Sequence, residues 1–469
     1  MKKTLTLIFS LGLSFCMQAQ QFDVDTIVKN GNPDNYINFV YLGDGYTENQ
    51  MENLVNNVNT VNGSFFSRIP FSNYKNYFNA FAIKVISPAS GIKHPRTATD
   101  CPSLSEFPTT NPDNYFSTTF DSYDIHRLVC PENDNALWNV VSENFPQYDQ
   151  VLLIGNTIQY GGSGGAYAVG TMHSESVEIM LHEVGHSFAG LADEYWAGDV
   201  YAAEKPNMTN QSNATPGAVK WQQWLNYNGT DIYQHCCGGT SASWYKPHNN
   251  CQMEFLGRQF CPVCRQRIIE RIYELVNPIV SYEPVNLSVA VNSATEFKLT
   301  ELMQPEPNTL KVQWMLNGTE IAQNVNQITL ETNQLIPDAN VLEAVVTDTT
   351  DMLRVTPDFT HHINKVVWTI NDGVAIDING TLEKYKVKIY PNPASDLLHI
   401  EASGLHHKKG MADIKIYTVN GICVLSTQAA VSDAGFMQSI DVSHLAGGNY
   451  FIELQCGGSK DRFKVTIAP

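Results

Sequence analysis

The chain has 469 residues, 43% hydrophobic and 16% charged, with a formal net charge of −18. That is ordinary globular composition, enough for a sizeable core divided among about three domains of roughly 150 residues each. The acidic balance excludes a nucleic-acid partner, because neutralising phosphates needs clustered Lys and Arg.

Met1-Lys2-Lys3 precedes an apolar run over residues 5–15, then small and polar residues around Gln18-Ala19-Gln20. Residues 1–20 therefore read as a secretory signal peptide, too short to span a bilayer. No later stretch reaches about 18 consecutive apolar residues, so the mature chain is expected to have no transmembrane segment. Residues 36–42 and 80–86 are predicted strands flanking a polar helix over 48–61, and residues 150–155 a short buried strand. This alternation predicts a mixed α/β (α+β) domain over 21–278. The Gly-rich run 160–171 is a candidate edge strand onto which an extended peptide could add. A helix over 265–275, with Ile268, Ile269, Ile272 and Leu275 on one face, is stopped by Pro278.

From residue 279 the hydrophobic period changes to two. Stretches 285–291, 311–316, 328–331, 341–346 and 365–370 are predicted strands, with a hairpin turn at Asn317-Gly318. Residues 279–375 thus read as a small β-sandwich without cysteine, and residues 385–469, with short strands between Pro, Asn and Gly turns, as a second one. The expected architecture is multidomain: a mixed α/β domain followed by two small all-β sandwiches.

The chain has ten cysteines, which in an exported protein are disulfide candidates. Cys101 with Cys130 and Cys423 with Cys456 are the pairs to expect. Cys236, Cys237, Cys251, Cys261 and Cys264 crowd one segment. The tandem Cys236-Cys237 is expected to staple two separate loops rather than to bridge to itself. A structural zinc on these cysteines is the alternative reading.

The chemistry concentrates in residues 182–195, HEVGHSFAGLADEY. His182 and His186, four apart on a helix, share one face and can bind one ion. Glu183 can project beside a metal-activated water as general base. Asp193 follows Gly190, where the chain can turn back, and can supply a third ligand. Two imidazoles and a carboxylate with an open fourth position suit Zn2+.

These residues, with the downstream CQMEF at 251–255 and FCPVC at 260–264, resemble the IgA-peptidase family of bacterial metallopeptidases, the igalysins, grouped with the metzincins. The segments LGDGY at 42–46 and GGSGG at 161–165 support the likeness, which covers most of residues 36–275. It implies a metzincin-like fold, His182 and His186 as zinc ligands, Glu183 as general base and Met253 as the methionine of a Met-turn. Two departures stand out. Ala192 occupies the usual third-ligand position, so glycine and acid have shifted together by one, favouring Asp193 over Glu194. Phe255 stands where many metzincins carry a tyrosine, leaving Tyr195 and Tyr245 as candidate phenols.

The last eighty or so residues, with YPNPASD at 390–396, VNG at 419–421 and LAGGNYFIEL at 445–454, resemble the C-terminal sorting domain of the type IX secretion system of Bacteroidetes. That likeness implies passage through the periplasm to the cell surface or medium, with the outer-membrane secretion machinery as partner. The combined expectation is a secreted zinc endopeptidase acting on protein or peptide substrates such as host glycoproteins or immunoglobulin A. The alternatives are a zinc hydrolase of a non-protein cell-surface substrate, or a surface adhesin retaining the metal fold.

Overall fold

A computed structural model describes residues 21–291, 293–336, 340–354, 360–371, 386–403, 410–418, 422–432, 435–456 and 459–468. The expected signal peptide and the VNG turn lie outside them.

The first region is built on a six-stranded sheet. Its elements in chain order are β1 (Val24–Val28), β2 (Ile37–Asp44), α1 (Met51–Phe65), β3 (Phe78–Ile83), α2 (Asp134–Asn144), β4 (Gln150–Gly155), β5 (Gly162–Ser163), β6 (Ala168–Thr171) and α3 (Ser176–Ala189). The strand order is β1-β3-β2-β4-β6-β5. The inner strands β3, β2, β4 and β6 run parallel, and β1 and β5 close the edges antiparallel. Strands covered on both faces read as continuous apolar runs rather than alternating ones, and β2 is buried along its whole length. On one face, Phe39 and Tyr41 pack with Leu54 and Phe65 of α1 and Val184 and Phe188 of α3. On the other, Val40 and Leu42 pack with Leu137 and Val141 of α2. Helix α2 and strand β1 were not expected from the sequence.

After α3 the chain makes a small three-stranded sheet from β7 (Thr209–Asn210), β8 (Tyr233–Gln234) and β9 (Trp244–Lys246), with β9 in the middle. Helix α4 (Pro262–Leu275) follows. It starts with Pro at its first turn, where a missing N–H costs nothing, and buries Ile268, Ile269 and Ile272 in the same core as α3.

Between Ile279 and Asn371 the described residues form eight strands, in a three-stranded and a five-stranded sheet around Trp314 and Trp368. Asn317 and Gly318 both take positive φ, 52° and 77°, as a two-residue hairpin turn between twisted strands requires. Asp348, buried in this region, accepts hydrogen bonds from the hydroxyls of Tyr74 and Tyr273, which belong to the first. From Lys386 to Ile467 the described residues form seven strands, in a second pair of sheets around Leu398, Ile400, Ile414, Ile416 and Ile452. Both regions agree with the expected all-β units. Among the described residues no helix is long and apolar enough to cross a membrane.

The cysteines depart from the pairings expected. Cys236 and Cys237 bridge to each other, because Cys237 itself has φ 87° and is followed by Gly238 and Gly239 at 73° and 62°, so the chain turns tightly enough to bring neighbouring sulfurs together. Cys101 and Cys130 are both free thiols: Cys101 faces His94, Asp121 and His126, whereas Cys130 faces Ser163. Cys423 is also a free thiol, and the side chain of Cys456 lies outside the described residues.

Candidate metal centre

Helix α3 carries His182, Glu183 and His186, and the spacing works as the sequence suggests. The two imidazoles lie at 4.8 Å between ring centroids, with their Nε2 atoms 3.1 Å apart. Gly190 ends the helix in the left-handed region, φ 67°, where its N–H still bonds to the His186 carbonyl. The chain then folds back, placing Asp193 Oδ1 at 2.9 Å from His182 Nε2 and 3.2 Å from His186 Nε2. One ligand atom from each of the three residues falls within 4.8 Å of the others, a grouping that could hold a metal ion.

The outer face of each imidazole is already engaged. His182 Nδ1 lies 3.0 Å from the Gln252 carbonyl and His186 Nδ1 2.8 Å from the Leu191 carbonyl. A carbonyl can only accept, so each Nδ1 carries the proton, and in the neutral rings both Nε2 lone pairs point inward with the carboxylate. Three electron-pair donors facing one point repel one another unless a cation lies between them, so the residues present fit a divalent ion. When His182 and His186 are instead protonated, their hydrogen bonds and charges overcome the burial that opposes ionisation and hold Asp193 well below the usual carboxylate range.

Glu183 is half-buried on the same helix. Burial pushes its carboxyl above the ordinary value, with His182 and His186 pulling the other way. Its carboxylate lies against the backbone of Gly164, where a Cβ would collide with it. Tyr195 stacks on the His182 ring, 6.1 Å between centroids, and burial, followed by the nearby Asp193 charge, pushes its hydroxyl well above the ordinary phenol range. Tyr245 sits instead in β9, opposite Thr209 and Gln234, and Phe255 is exposed.

Met253 is fully buried beneath the helix. A Cβ on Gly185 would approach its Sδ to 2.6 Å, so glycine there lets the methionine sit directly against the helix. The Met253 carbonyl accepts from Glu194 N–H at 2.7 Å, tying the turn to the acidic segment. Asn207, not singled out from the sequence, is buried and clamps both the N–H and the carbonyl of Ala192, at 2.7 and 2.8 Å. This clamp fixes the bend that aims Asp193 inward.

Glu194 turns the opposite way. It is fully buried beside Cys251, Cys261 and Cys264, a second grouping that could hold a metal ion. Cys264 Sγ lies 3.2 Å from its Oε1. Burial and then the Cys251 thiol push the Glu194 carboxyl well up.

The Gly-rich run is not the open strand the sequence suggested. It forms a hairpin of β5 and β6, and the outer side of β5 is already paired: Val129 N–H bonds to the Gly162 carbonyl and Gly162 N–H to the Arg127 carbonyl. The preceding loop thus supplies the strand that an added peptide would have supplied. Gly164, Gly165 and Ala166 stay exposed beside Glu183.

Residues 26–233 match the family model described as IgA Peptidase M64, and residues 388–468 the one described as secretion system C-terminal sorting domain. No curated protein sequence matches the chain. Among solved structures, the fibronectin(III)-like modules of Clostridium thermocellum CbhA align at 13% identity over 40% of this chain and 93% of theirs, with a TM-score of 0.15. A Bacteroides ovatus glucan-utilisation protein, SGBP-B, aligns at 13% identity over 40% of this chain and 45% of its own, TM-score 0.14. Parabacteroides merdae β-glucuronidase aligns at 10% identity over 49% of this chain and 29% of its own, TM-score 0.15. The sorting domain marks the chain as secreted or displayed at the cell surface. The chain thus joins a region that matches the IgA Peptidase M64 model, residues 26–233, to one that matches a secretion-system C-terminal sorting domain, residues 388–468.

Proposed function

We propose that the chain is a secreted zinc endopeptidase whose metal is held by His182, His186 and Asp193. The observation that carries this reading is the convergence of His182 Nε2, His186 Nε2 and Asp193 Oδ1, with Glu183 alongside on the same helix, within a region that matches a peptidase family. Two nitrogens and one oxygen with a side left open suit a catalytic rather than a structural zinc. A bound zinc supplies Lewis acidity toward a water and the scissile carbonyl.

The protein's own groups do the rest. Glu183 takes a proton from the attacking water as its oxygen bonds to the carbonyl carbon, then delivers that proton to the amine nitrogen as the C–N bond breaks. Burial raises the proton affinity of Glu183, which suits a group that must both accept and return a proton. The Gln252 and Leu191 carbonyls keep both imidazoles in the ligating tautomer. Tyr195, at the edge of the ligand set, is the phenol placed to donate to the developing oxyanion. Substrate is expected to cross the exposed Gly164–Gly165–Ala166 backbone, since the edge at Gly162 is already taken. The family description points to immunoglobulin A and glycoproteins of that kind as the substrate class to try first.

The test is incubation of the mature chain with serum and mucosal proteins, with fragments read by mass spectrometry. New N-termini should arise with the parent and disappear with Glu183→Ala. The same fragments from both proteins would remove Glu183 from the chemistry.

A further inference from the structure

The connection between β3 and α2 runs for some fifty residues with little regular structure, yet it brings His94, Cys101, Asp121 and His126 to one point. We propose that these four side chains form a second, structural metal site, which takes a zinc-class transition ion through His94 Nε2, Cys101 Sγ, Asp121 Oδ1 and His126 Nδ1.

The distances fit one tetrahedral ion. Cys101 Sγ lies 3.8 Å from His94 Nε2, 3.8 Å from His126 Nδ1 and 3.3 Å from Asp121 Oδ1. Asp121 Oδ1 lies 2.9 Å from His126 Nδ1 and 3.4 Å from His94 Nε2. Zinc bonds of about 2.0 to 2.3 Å at tetrahedral angles give ligand–ligand edges of roughly 3.2 to 3.8 Å, so four of these five edges fit, and the 2.9 Å edge between Asp121 Oδ1 and His126 Nδ1 needs to open by a few tenths of an ångström. All four atoms lie within 4.8 Å of one another.

Protonation supports the same conclusion. His94 Nδ1 is 2.9 Å from the Pro108 carbonyl, so it carries the proton and leaves Nε2 bare in the neutral ring. That lone pair then faces the Asp121 carboxylate across 3.4 Å in a buried setting, acceptor against acceptor. A cation between them resolves the conflict. The donor set is also charge-balanced: one thiolate and one carboxylate offset a divalent ion, with two neutral imidazoles. A thiolate with two imidazoles selects zinc-like ions over calcium or magnesium.

The surroundings are built to hold the four residues. Asp121 Oδ2 accepts from Thr97 N–H at 3.0 Å, and Asp100 accepts from His126 N–H at 2.7 Å. Arg96, Asp121, Tyr123 and Asp124 all take left-handed φ near 60°, a conformation that persists only where the surroundings over-determine it. The consequence reaches the cleft. His126 is followed directly by the Arg127–Val129 segment that pairs with β5, and the charge of Arg127 bears on Tyr195. The ion would therefore pin the wall of the proposed active site without touching it.

The test is alkylation of the zinc-loaded mature chain with iodoacetamide, before and after chelation, with each thiol followed by its own peptide. Cys101 should label about tenfold or more faster once zinc is removed, because the ion masks the thiolate. Cys130, outside the cluster, should hold its rate. Elemental analysis of Cys101→Ser should show about one zinc fewer per chain than the parent. Equal labelling of Cys101 in the two states, a rise shared equally by Cys130, or an unchanged zinc content in Cys101→Ser would each overturn the assignment.

Discussion

Adjacent acids on one short segment serve different clusters. Asp193 meets His182 and His186, whereas Glu194 meets three cysteines. The Asn207 clamp on Ala192 sets this sorting, because it fixes the backbone from which the two side chains diverge. Replacing Asp193 by Ala should strip zinc from the histidine pair, measured as loss of retained metal on dialysis. Glu194→Ala should leave that metal in place and instead lower stability by about 1–3 kcal/mol, since it leaves the buried Asn207 amide short of a partner. The opposite ordering would move the ligand to Glu194. The histidine pair and Glu183 were legible in the sequence because helical spacing is local. Asn207, the Gln252 carbonyl and the His94–Cys101–Asp121–His126 cluster were not, because chain reversals far along the sequence bring those groups together. Cys101 in particular read as half of a disulfide, since a cysteine in an exported chain gives no local sign of whether it will meet sulfur or imidazole.

At the scale of elements, the proposed site depends on two close backbone approaches. Gly164 in the exposed turn of the β5–β6 hairpin lies against Glu183, and Gly185 of α3 lies on Met253. Gly164→Ala should displace the Glu183 carboxylate and lower turnover by about tenfold or more, while the fold and the bound zinc persist. Turnover at the parent rate would show that Glu183 tolerates the shift and is not held by this contact. Gly185→Ala should cost about 1–3 kcal/mol in stability, read from the unfolding midpoint, because the extra methyl overpacks a buried contact with Met253. The repeat of Ile268, Ile269, Ile272 and Leu275 exposed α4, the His182–His186 spacing exposed α3, and α1 read as a polar helical stretch. Periodicity missed α2, a polar helix burying only Leu137, Val140 and Val141. The Gly-rich run read as an open edge strand because pairing by the distant Arg127–Val129 segment leaves no mark in that run's own residues.

At the scale of the whole molecule, the change of period near residue 279 was read as a passage to all-β structure, and the YPNPASD and LAGGNYFIEL segments anticipated the sorting domain matched at 388–468. What the sequence did not suggest is how the middle region grips the first. Asp348 accepts from Tyr74, Tyr273 and Thr309 hydroxyls, so Asp348→Ala should lower the unfolding midpoint by a stability loss of about 3 kcal/mol, leaving buried hydroxyls without an acceptor. The terminal region carries no residue of the His182 cluster. A chain ending before residue 385 should keep peptidase activity but stay in the periplasm of a host that secretes the parent, as followed by fractionation. Normal export of that truncated chain would contradict its role as the sorting signal. The most direct measurement on the whole proposal is peptide hydrolysis by the mature chain beside its Glu183→Ala variant at equal bound zinc. A zinc endopeptidase using Glu183 as base gives cleavage by the parent that a chelator abolishes and zinc restores, and a variant slower by several powers of ten. A zinc-loaded Glu183→Ala variant that cleaves at the parent rate would contradict it.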